Sequence, residues 1–520
     1  MNAPKSAAAG HASLSQRCAL GAILAGALAL RLWGAFADLP YIYHPDEPQN
    51  IVAIQHILAT HDANPHLFLY PALLYYVNVA VALVVKTLPA WLAGDTPTYA
   101  APISIAMGAT FAPDASAVAS YRLVSIVGGV GSVLLVYLIG KRARDVSTGL
   151  LAALLAACSP LLAADSRNVL PDSYVVFFEL VTLLAALAIA AGGRRSAYLA
   201  AGFAVGACAA SKYNGALVCL FPLAAHLVRS GASPRAAGPL VLAGVVSAVA
   251  FMLLTPYTLL DPATFAGIGY QYHTYSSRHQ GMEGNVPLWY LGTLWRTTGL
   301  ACVLAACQLV RGVRARCAPT LVIAAFALPY LVFISTFVVR NERTLEPVVP
   351  CVLLLAVLFL RHLASPSSVL NRAAAGGLRT AALAVLALAV VAAPLRVAVA
   401  EAVRLSTVDS RATAREWINT NLPEHAVVAV ESYVPYVDPA RFRIVQAERA
   451  IDHPLAWYAD RGAQFFVLSE GLYGRYLAAP REYPDEAARY VALMDSMRLV
   501  RRFDDGGYEV LVYEIPRAAP

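Results

Sequence analysis

The apolar stretch "CALGAILAGALALRLWGAFADLP" (residues 18–40) leads directly into the polar segment "YIYHPDEPQN" (residues 41–50). An apolar run of this length approaches the ~20 residues that a helix needs to cross a bilayer. Two adjacent carboxylates, Asp46 and Glu47, follow it between Pro45 and Pro48. The pattern indicates that acidic side chains gather where the first membrane span ends.

The composition extends the membrane interpretation to the whole chain. Of its 520 residues, 59% are hydrophobic and only 14% are charged, whereas soluble domains are about 45–50% apolar and about 25% charged. Many further apolar segments follow the first one, so residues 18–36 are interpreted as an uncleaved span and not as a signal peptide. The sequence therefore predicts a multi-span α-helical membrane protein.

Clusters of Lys and Arg suggest how the spans are oriented. After the N-terminal tail they lie at 141–144, 192–195, 229–235, 311–316 and 361–372. Basic residues favour the cytoplasmic side of a membrane. If every cluster faces inward, an even number of spans must separate each cluster from the next. We therefore expect about eleven spans, a cytoplasmic tail at 1–17, and external loops at 37–120, 165–172, 255–286 and 337–346.

One apolar segment, residues 71–92, does not fit a simple crossing. Three crossings between Arg17 and Lys141 would place the cluster at 141–144 outside. We expect residues 71–92 to lie along the outer face or to dip into it. The alternative is a hairpin of residues 71–92 with the apolar piece near 100–112, which would give about thirteen spans.

The C-terminal part, residues 401–520, has a different character from the membrane domain at 18–400. "ATAREWINTNL" and "DEAARYVALMDSM" have helical periodicity, and "AVVAVES", "QFFVLSE" and "GYEVLVYEI" alternate as short strands do. Because the last span leads outward, the sequence predicts a small α/β domain outside the cytoplasm.

The unusual ionisable residues lie at the external ends of the spans. Ionisable groups at membrane depth are costly and are usually functional. A carboxylate can act as a general base on an acceptor hydroxyl, and Lys or Arg can hold a lipid-linked phosphate. Besides Asp46 and Glu47, the candidates are Arg167, Asp172, Lys212, Arg278, Arg340 and Arg343.

As a set, these motifs resemble those of the GT-C membrane glycosyltransferases, in the branch of protein O-mannosyltransferases and aminoarabinose transferases. The resemblance covers roughly residues 18–365 and rests on short motifs of the external loops, namely "HPDE", "YPALLYY", "SRNVLPDSYVVFF", "ASKYNG" and "RNERTLEPVVP". It implies a GT-C fold, a polyprenyl-phosphate sugar donor, and a membrane location at the cytoplasmic (inner) membrane.

The resemblance also implies roles for individual residues. Asp46 is expected to be the base of an inverting transfer, with Glu47 and Asp172 beside it. Lys212, Arg278, Arg340 and Arg343 are expected to bind the donor phosphate. His44, Arg167, Tyr272 and His273 are expected to contact the sugar or the acceptor, which would be an extracytoplasmic lipid, glycan or protein; no nucleic acid is expected as a partner.

No cofactor is expected to be required, because a lipid phosphate is already a good leaving group. A divalent metal is possible but not indicated. His44, His56, His61 and His66 share the first external loop, yet their spacing matches no compact zinc motif, so solvated loop histidines are expected.

A transporter or flippase of a lipid-linked sugar is the alternative function. Such a protein should place ionisable or helix-breaking features near the midplane of two repeated halves. The sequence has no such symmetry, and its charged set lies on one side, which favours the transferase.

Overall fold

The computed structural model describes residues 13–95, 114–277, 282–365 and 376–516. Most of them are helical, and a small mixed β-sheet lies near the C-terminus. This arrangement confirms the predicted class, a multi-span helical protein with a C-terminal α/β domain.

The helices of the first part follow one another through short connections. Their bounds are α1 (Leu14–Leu32), α2 (Glu47–Thr60), α3 (Leu73–Leu92), α4 (Ala115–Ala143), α5 (Val146–Ala157), α6 (Pro160–Asp165), α7 (Asp172–Gly192), α8 (Arg195–Ser211), α9 (Leu220–Ser230), α10 (Gly238–Leu254), α11 (Tyr257–Leu260), α12 (Pro262–Ala266), α13 (Ile268–Ser276), α14 (Val286–Thr298), α15 (Leu300–Arg314), α16 (Ala318–Ile334), α17 (Val348–Leu363) and α18 (Gly376–Ser406).

In the described part of the chain, four helices are long and apolar enough to cross a membrane alone, or five if a bent pair counts as one span. That pair is α14 and α15, which meet at 109° around Gly299, where φ is 53°. The apolar segment at 287–309 is therefore not one straight helix, because a glycine with positive φ turns the chain. The apolar segment at 148–164 is likewise interrupted, between α5 and Pro160. The predicted number of spans stays a prediction.

Small residues allow close helix packing. Gly202 and Gly206 lie one turn apart on α8 and face the backbone of α10 at Ala243 and Ser247, so closely that a Cβ atom at either glycine would collide. Such spacing of small residues is typical of packed membrane helices.

Several basic clusters meet at one end of the helical part. Arg361 Nη2 lies 3.0 Å from Asp145 Oδ2, and Arg144 is close enough to Arg311 for their charges to interact. This end joins three of the clusters that the sequence analysis placed in the cytoplasm.

The helix α2 lies against α3 and α4 through one apolar face. Ile51, Ile54 and Leu58 are buried there together with Leu74 and Tyr121. Because this face fixes α2 on the helical bundle, the polar start of α2 at Asp46 has a fixed position.

The C-terminal domain is a five-stranded sheet with helices on it. Its elements are α19 (Ser410–Asn421), β1 (Val427–Val430), β2 (Arg443–Gln446), α20 (Leu455–Asp460), β3 (Phe465–Ser469), α21 (Glu470–Leu477), α22 (Pro484–Asp495), β4 (Arg498–Phe503) and β5 (Val510–Glu514). The strand order is β2-β1-β3-β5-β4; β1 pairs in parallel with β2 and β3, and β5 pairs antiparallel with β3 and β4. The predicted helices and strands are confirmed, while β2 and β4 were not predicted.

The C-terminal domain directly contacts the segment between α1 and α2. Arg411 Nη1 donates to the carbonyl of Tyr43 at 3.0 Å, and the guanidinium of Arg415 lies 3.5 Å from the ring centroid of Tyr41. The preceding helix α18 continues to Ser406, slightly past the boundary expected at 400.

Candidate active site

Asp46 lies at the start of α2 without capping it. It occupies the N-cap position, but its side chain accepts no hydrogen bond from the helix backbone. Instead, its Oδ2 accepts a hydrogen bond from Arg343 Nη2, and its amide donates to His44 Nδ1 at 3.3 Å. The carboxylate is therefore directed away from α2, toward residues that are distant in the sequence.

Arg343 joins two carboxylates. It lies in the 3₁₀ turn Glu342–Leu345, where Asn341 Oδ1 accepts from the amide of Thr344 at 2.9 Å. Arg343 Nη2 contacts Asp46, and its Nη1 lies 3.9 Å from Asp172 Oδ2. Burial by itself would raise the pKa of Asp46, but the nearby charges of Arg343 and Lys212 hold it below its usual range. Asp46 is thus an anion at neutral pH.

Asp172 and Lys212 form the other half of the same cluster. Asp172 begins α7, and Lys212 follows the last residue of α8 in an extended conformation. Lys212 Nζ donates to Asp172 Oδ1 at 2.9 Å and lies 5.9 Å from the ring centroid of Tyr70. Asp46, Asp172, Lys212 and Arg343, which we call the four-charge cluster, therefore converge from four separate segments.

Two further acidic residues lie beside the cluster. Asp165 and Glu346 are buried, and one oxygen of each accepts no hydrogen bond from the described residues. Burial raises the pKa of Asp165, and the negative charge of Asp172 raises it further. Burial likewise raises the pKa of Glu346. Both groups therefore favour the neutral acid.

Two buried arginines complete the surroundings. Arg31 donates to the carbonyls of Ala27 and Leu162, and Arg167 Nη2 donates to the carbonyl of Leu30 at 2.8 Å. Nε of each arginine, and also Nη1 of Arg167, has no hydrogen-bond partner among the described residues. With Asp165 and Glu346 neutral, cations outnumber carboxylate anions here, which suits an anionic ligand.

Glu47 belongs to a different group of charges, although it follows Asp46 directly. Its two oxygens accept hydrogen bonds from Arg122 at 2.8 and 2.6 Å, and one also accepts from the amide of Val169 at 2.9 Å. Arg122 also holds Asp38 at 2.6 Å. We call Glu47, Arg122 and Asp38 the anchor cluster. Glu47 is fully buried, so its geometry is that of a structural anchor and not of the catalytic neighbour expected from the sequence.

Arg340 also differs from its expected place. Its guanidinium donates to the carbonyls of Met282 and Glu283 and lies 5.4 Å from the ring centroid of Trp289. These contacts hold the segment before α14. No hydrogen bond or ion pair joins Arg340 to the four-charge cluster within the described residues, so we do not assign it to the phosphate site.

The remaining candidates are distributed around the site. His44 is close to Asp46, and burial together with the charge of Arg343 lowers its pKa to about 4, so its ring is neutral. His273 lies exposed on α13, away from the cluster's hydrogen bonds and ion pairs in the described segments. Arg278 lies outside the described residues, and so does the side chain of Tyr272.

A cavity of about 920 Å³ adjoins the site. Its walls are formed by the segment between α1 and α2, the turn after α6, the end of α18 and the C-terminal domain. The residues that line it include Tyr43, His44, Asp165, Arg167, Arg411 and Tyr508. Binding cavities for small molecules have volumes of about 300–1,000 Å³, so this space can admit a molecule from the side of the C-terminal domain.

Sequence reasoning missed several residues of the site. Arg31, Arg122, Tyr70 and Asn50 were not among the candidates, although Asn50 Nδ2 donates to the carbonyl of Val169 at 2.9 Å and so fixes α2 to the turn before Asp172. Arg31 and Arg122 had a detectable signal, since each is a charged residue within an apolar helix. Tyr70 had none beyond its position in "YPALLYY".

The apolar helices and the charged site between them are those of a multi-pass membrane protein. Residues 105–259 match the family described as dolichyl-phosphate-mannose-protein mannosyltransferase. No curated protein sequence gives a significant match.

Solved structures share the fold over nearly the whole chain. ArnT from Cupriavidus metallidurans in the apo state is 17% identical, with a TM-score of 0.58 over 96% of this chain and 98% of that one. The same ArnT bound to undecaprenyl phosphate is 18% identical, with a TM-score of 0.58 over 96% and 99%. The Archaeoglobus fulgidus oligosaccharyltransferase AglB, in complex with an inhibitory peptide and a dolichol-phosphate, is 12% identical, with a TM-score of 0.58 over 97% and 74%. The predicted resemblance to GT-C proteins of the mannosyltransferase and ArnT type is confirmed.

Proposed function

We propose that the protein transfers a sugar from a polyprenyl-phosphate donor to an acceptor outside the cytoplasm. The observation that carries this proposal is the four-charge cluster, in which two carboxylates and two cations from distant segments share one site. Similar structures in complex with undecaprenyl phosphate and with a dolichol-phosphate support the donor class.

Arg343 and Lys212 are the groups that would hold the donor phosphate. Arg343 offers a planar fork suited to phosphate oxygens, and Lys212 adds a compact charge. Arg31 and Arg167 contribute further positive charge nearby. These cations would stabilise the negative charge that develops on the phosphate as the sugar leaves, which is usually a large part of catalysis.

Asp46 would be the general base. Its side chain is 28% exposed, so an acceptor hydroxyl can reach it, and its lowered pKa keeps it ionised. The acceptor oxygen would attack the anomeric carbon and lose its proton to Asp46, while the bond from that carbon to the phosphate oxygen breaks. A single displacement of this kind inverts the anomeric configuration, and polyprenyl phosphate departs.

The low pKa of Asp46 also suggests how the base is activated. Arg343 is bonded to Asp46, and the donor phosphate would compete for the same guanidinium. Asp46 would then lose part of its ion pair, and its pKa would rise toward its usual range. A stronger base would therefore be formed only when the donor is in place.

Asp172 would keep Lys212 and Arg343 in position, and the anchor cluster would hold the start of α2. His44 and Arg167 line the cavity from which the acceptor would approach, and we retain Tyr272, His273 and Arg278 as candidate contacts for sugar, acceptor or phosphate. The cationic side chains would do the work that a metal does in other transferases, so no metal is needed for this step.

The basic clusters at the opposite end of the bundle support a location in the cytoplasmic membrane with the site facing outward. The N-terminus would lie inside and the C-terminal domain outside.

The test uses purified full-length protein in liposomes and a panel of labelled polyprenyl-phosphate sugars. We expect at least one donor to lose its sugar and to yield polyprenyl phosphate. Movement of an intact labelled donor between leaflets, with no cleavage of any donor in the panel, would contradict the transferase and favour a flippase.

A further inference from the structure

Three potential metal ligands lie together outside the four-charge cluster. His56 lies about one turn before the end of α2, and Asp62 and His66 are in the loop that follows. One side-chain nitrogen or oxygen atom of each lies within 4.8 Å of the others. His66 Nε2 is 2.9 Å from Asp62 Oδ2, and the rings of His56 and His66 meet edge to face with centroids 5.4 Å apart.

The loop between the two histidines is folded by its own side chains. Asp62 Oδ1 accepts from the amide of Asn64 at 2.9 Å, and Asn64 Oδ1 accepts from the amide of His66 at 3.1 Å. Thr60 Oγ1 accepts from the amide of Asp62 at 3.2 Å. These turns return the chain toward α2 and bring His66 next to His56, which spacing along the sequence does not reveal.

Two features of the histidines suit a metal ion. His56 Nε2 is inaccessible to solvent and has no hydrogen-bond partner among the described residues. His66 Nδ1, the nitrogen that does not contact Asp62, lies 3.9 Å from Asp261 Oδ2, and Asn64 Nδ2 holds that same oxygen at 2.9 Å. A histidine that binds a metal commonly directs its other nitrogen at a carboxylate, which fixes the ring.

We propose that His56, Asp62 and His66 bind a Zn²⁺ ion. Two imidazoles and one carboxylate are ligands that zinc accepts, whereas Mg²⁺ and Ca²⁺ prefer oxygen ligands. Tetrahedral zinc at about 2.0–2.1 Å from each ligand places neighbouring ligand atoms about 3.3 Å apart. The His66–Asp62 pair would open slightly and His56 would move slightly inward. Water would occupy the fourth position, since Asp62 and His66 face solvent.

The zinc ion would hold the first external loop in shape. It would join the end of α2 to the loop at 62–66, and Asp261 would extend that connection to the start of α12. Because Asp46 stands at the other end of α2, zinc would stabilise the helix that carries the candidate base without taking part in the transfer. The proposal is independent of the proposed function, because zinc binding is measured without donor or acceptor.

The test measures zinc bound to full-length protein that carries an affinity tag without histidines. After treatment with chelator and removal of the chelator, the protein is titrated with ZnSO₄, and bound zinc is counted by mass spectrometry and by competition with a zinc-sensitive dye. We expect one ion per chain and a higher unfolding temperature with zinc.

Three variants test which residues bind the ion. His56→Ala and His66→Asn should each lose the bound zinc ion and the rise in unfolding temperature that zinc causes. Asp261→Asn, which changes only the neighbour of His66, should weaken binding about 10-fold. His61→Asn is the matched control: it lies in the same loop, is exposed and has positive φ, and it should bind zinc as the wild type does.

Two results would overturn the proposal. The first is that the wild-type protein binds no zinc above the level of a zinc-free control. The second is that the His56→Ala and His66→Asn proteins bind as many zinc ions per chain as the wild type. The unfolding temperature without zinc shows whether each variant is folded, and a variant that is unfolded would be replaced by Asp62→Asn, for which the same loss is expected.

Discussion

Asp46 and Glu47 are neighbours in the sequence, yet the structure places them in two different charge clusters. Asp46 belongs to the four-charge cluster, and 28% of its side chain is exposed. Glu47 belongs to the anchor cluster, and none of it is exposed. Both carboxylates are paired with an arginine, so pairing alone does not separate their roles.

Access to a substrate does separate them. The side chain of Asp46 is partly open to solvent, so a hydroxyl can approach it. Glu47 is fully buried, and Arg122 and the amide of Val169 occupy its oxygens. In an acidic pair of this kind, one carboxylate can stay available to a substrate because the other fixes the backbone that carries them both.

The largest effect is expected at Asp46. Asp46→Asn keeps the size of the side chain but removes the base, and general-base catalysis contributes about 10²–10⁴-fold. The release of polyprenyl phosphate should fall by that factor, while donor binding is not weakened, because the neutral amide side chain no longer competes for Arg343 as an anion. Asp114→Asn is the matched control, because Asp114 is also a partly exposed carboxylate in an ion pair, at 2.8 Å from Lys86. Undiminished turnover in Asp46→Asn would remove the base from the account.

The next largest effect is expected at Glu47, where substitution should lower the stability of the protein. Glu47→Gln leaves Arg122 buried with one charge partner fewer, and breaking a buried ion pair costs about 3–5 kcal/mol. The free energy of unfolding of the purified protein should fall by about that amount, while Asp46→Asn, whose pair is partly exposed, should change it by less. Equal destabilisation of both variants would erase the distinction between the clusters.

The third prediction concerns two arginines near one another in the sequence. Arg343→Ala should weaken donor binding about 10- to 100-fold, since hydrogen bonds to charged groups contribute about 1.5–3 kcal/mol. Arg340→Ala should change donor affinity much less, because Arg340 holds backbone carbonyls of the segment before α14. Donor affinity would be measured with labelled donor. Equal weakening of donor binding in the two variants would contradict this assignment.

The smallest effect on activity is expected at Asp165. Burial and the charge of Asp172 raise its pKa, so the side chain is already neutral and Asp165→Asn should change turnover by less than about 3-fold near pH 7. Asp172→Asn, which removes the partner of Lys212, should cost far more. A loss in Asp165→Asn as severe as in Asp172→Asn would mean that Asp165 acts as a charged group.

The same residue predicts a pH dependence of stability. Because the pKa of Asp165 is higher in the folded protein than in the unfolded chain, its contribution is greatest at acid pH and is lost as the pH rises through the folded-state value. The stability of Asp165→Asn relative to wild type should therefore increase from pH 5 to pH 8. A constant difference over that range would contradict the raised pKa.

Much of this architecture could be predicted from the sequence, for identifiable reasons. The apolar segments and the alternating strands gave the fold class, and the external placement of Asp46, Asp172, Lys212 and Arg343 identified four residues that the structure brings together. Charged groups next to apolar spans are costly, so their positions in the sequence carry information about the site.

The partners of these charges could not be predicted. Glu47 seemed equivalent to Asp46 because the sequence does not show that Arg122 lies beside it after folding. Arg340 and Arg343 lie three residues apart in the sequence. The 3₁₀ turn that begins at Glu342 carries Arg343 to the four-charge cluster, whereas Arg340 before the turn contacts Met282 and Glu283. The bend at Gly299 also depends on packing, since an isolated glycine in an apolar segment does not determine where a helix ends.

The central claim is that Asp46 and Arg343 act as one unit, and a double-mutant cycle tests it most directly. The single-turnover rate of polyprenyl phosphate release would be measured at saturating donor for wild type, Asp46→Asn, Arg343→Ala and the double variant. Residues that act as a unit give strongly non-additive effects. We predict that the double variant is about as slow as the slower single variant. A rate reduced by the full product of the two single effects would show that the two residues act independently, and would contradict the account.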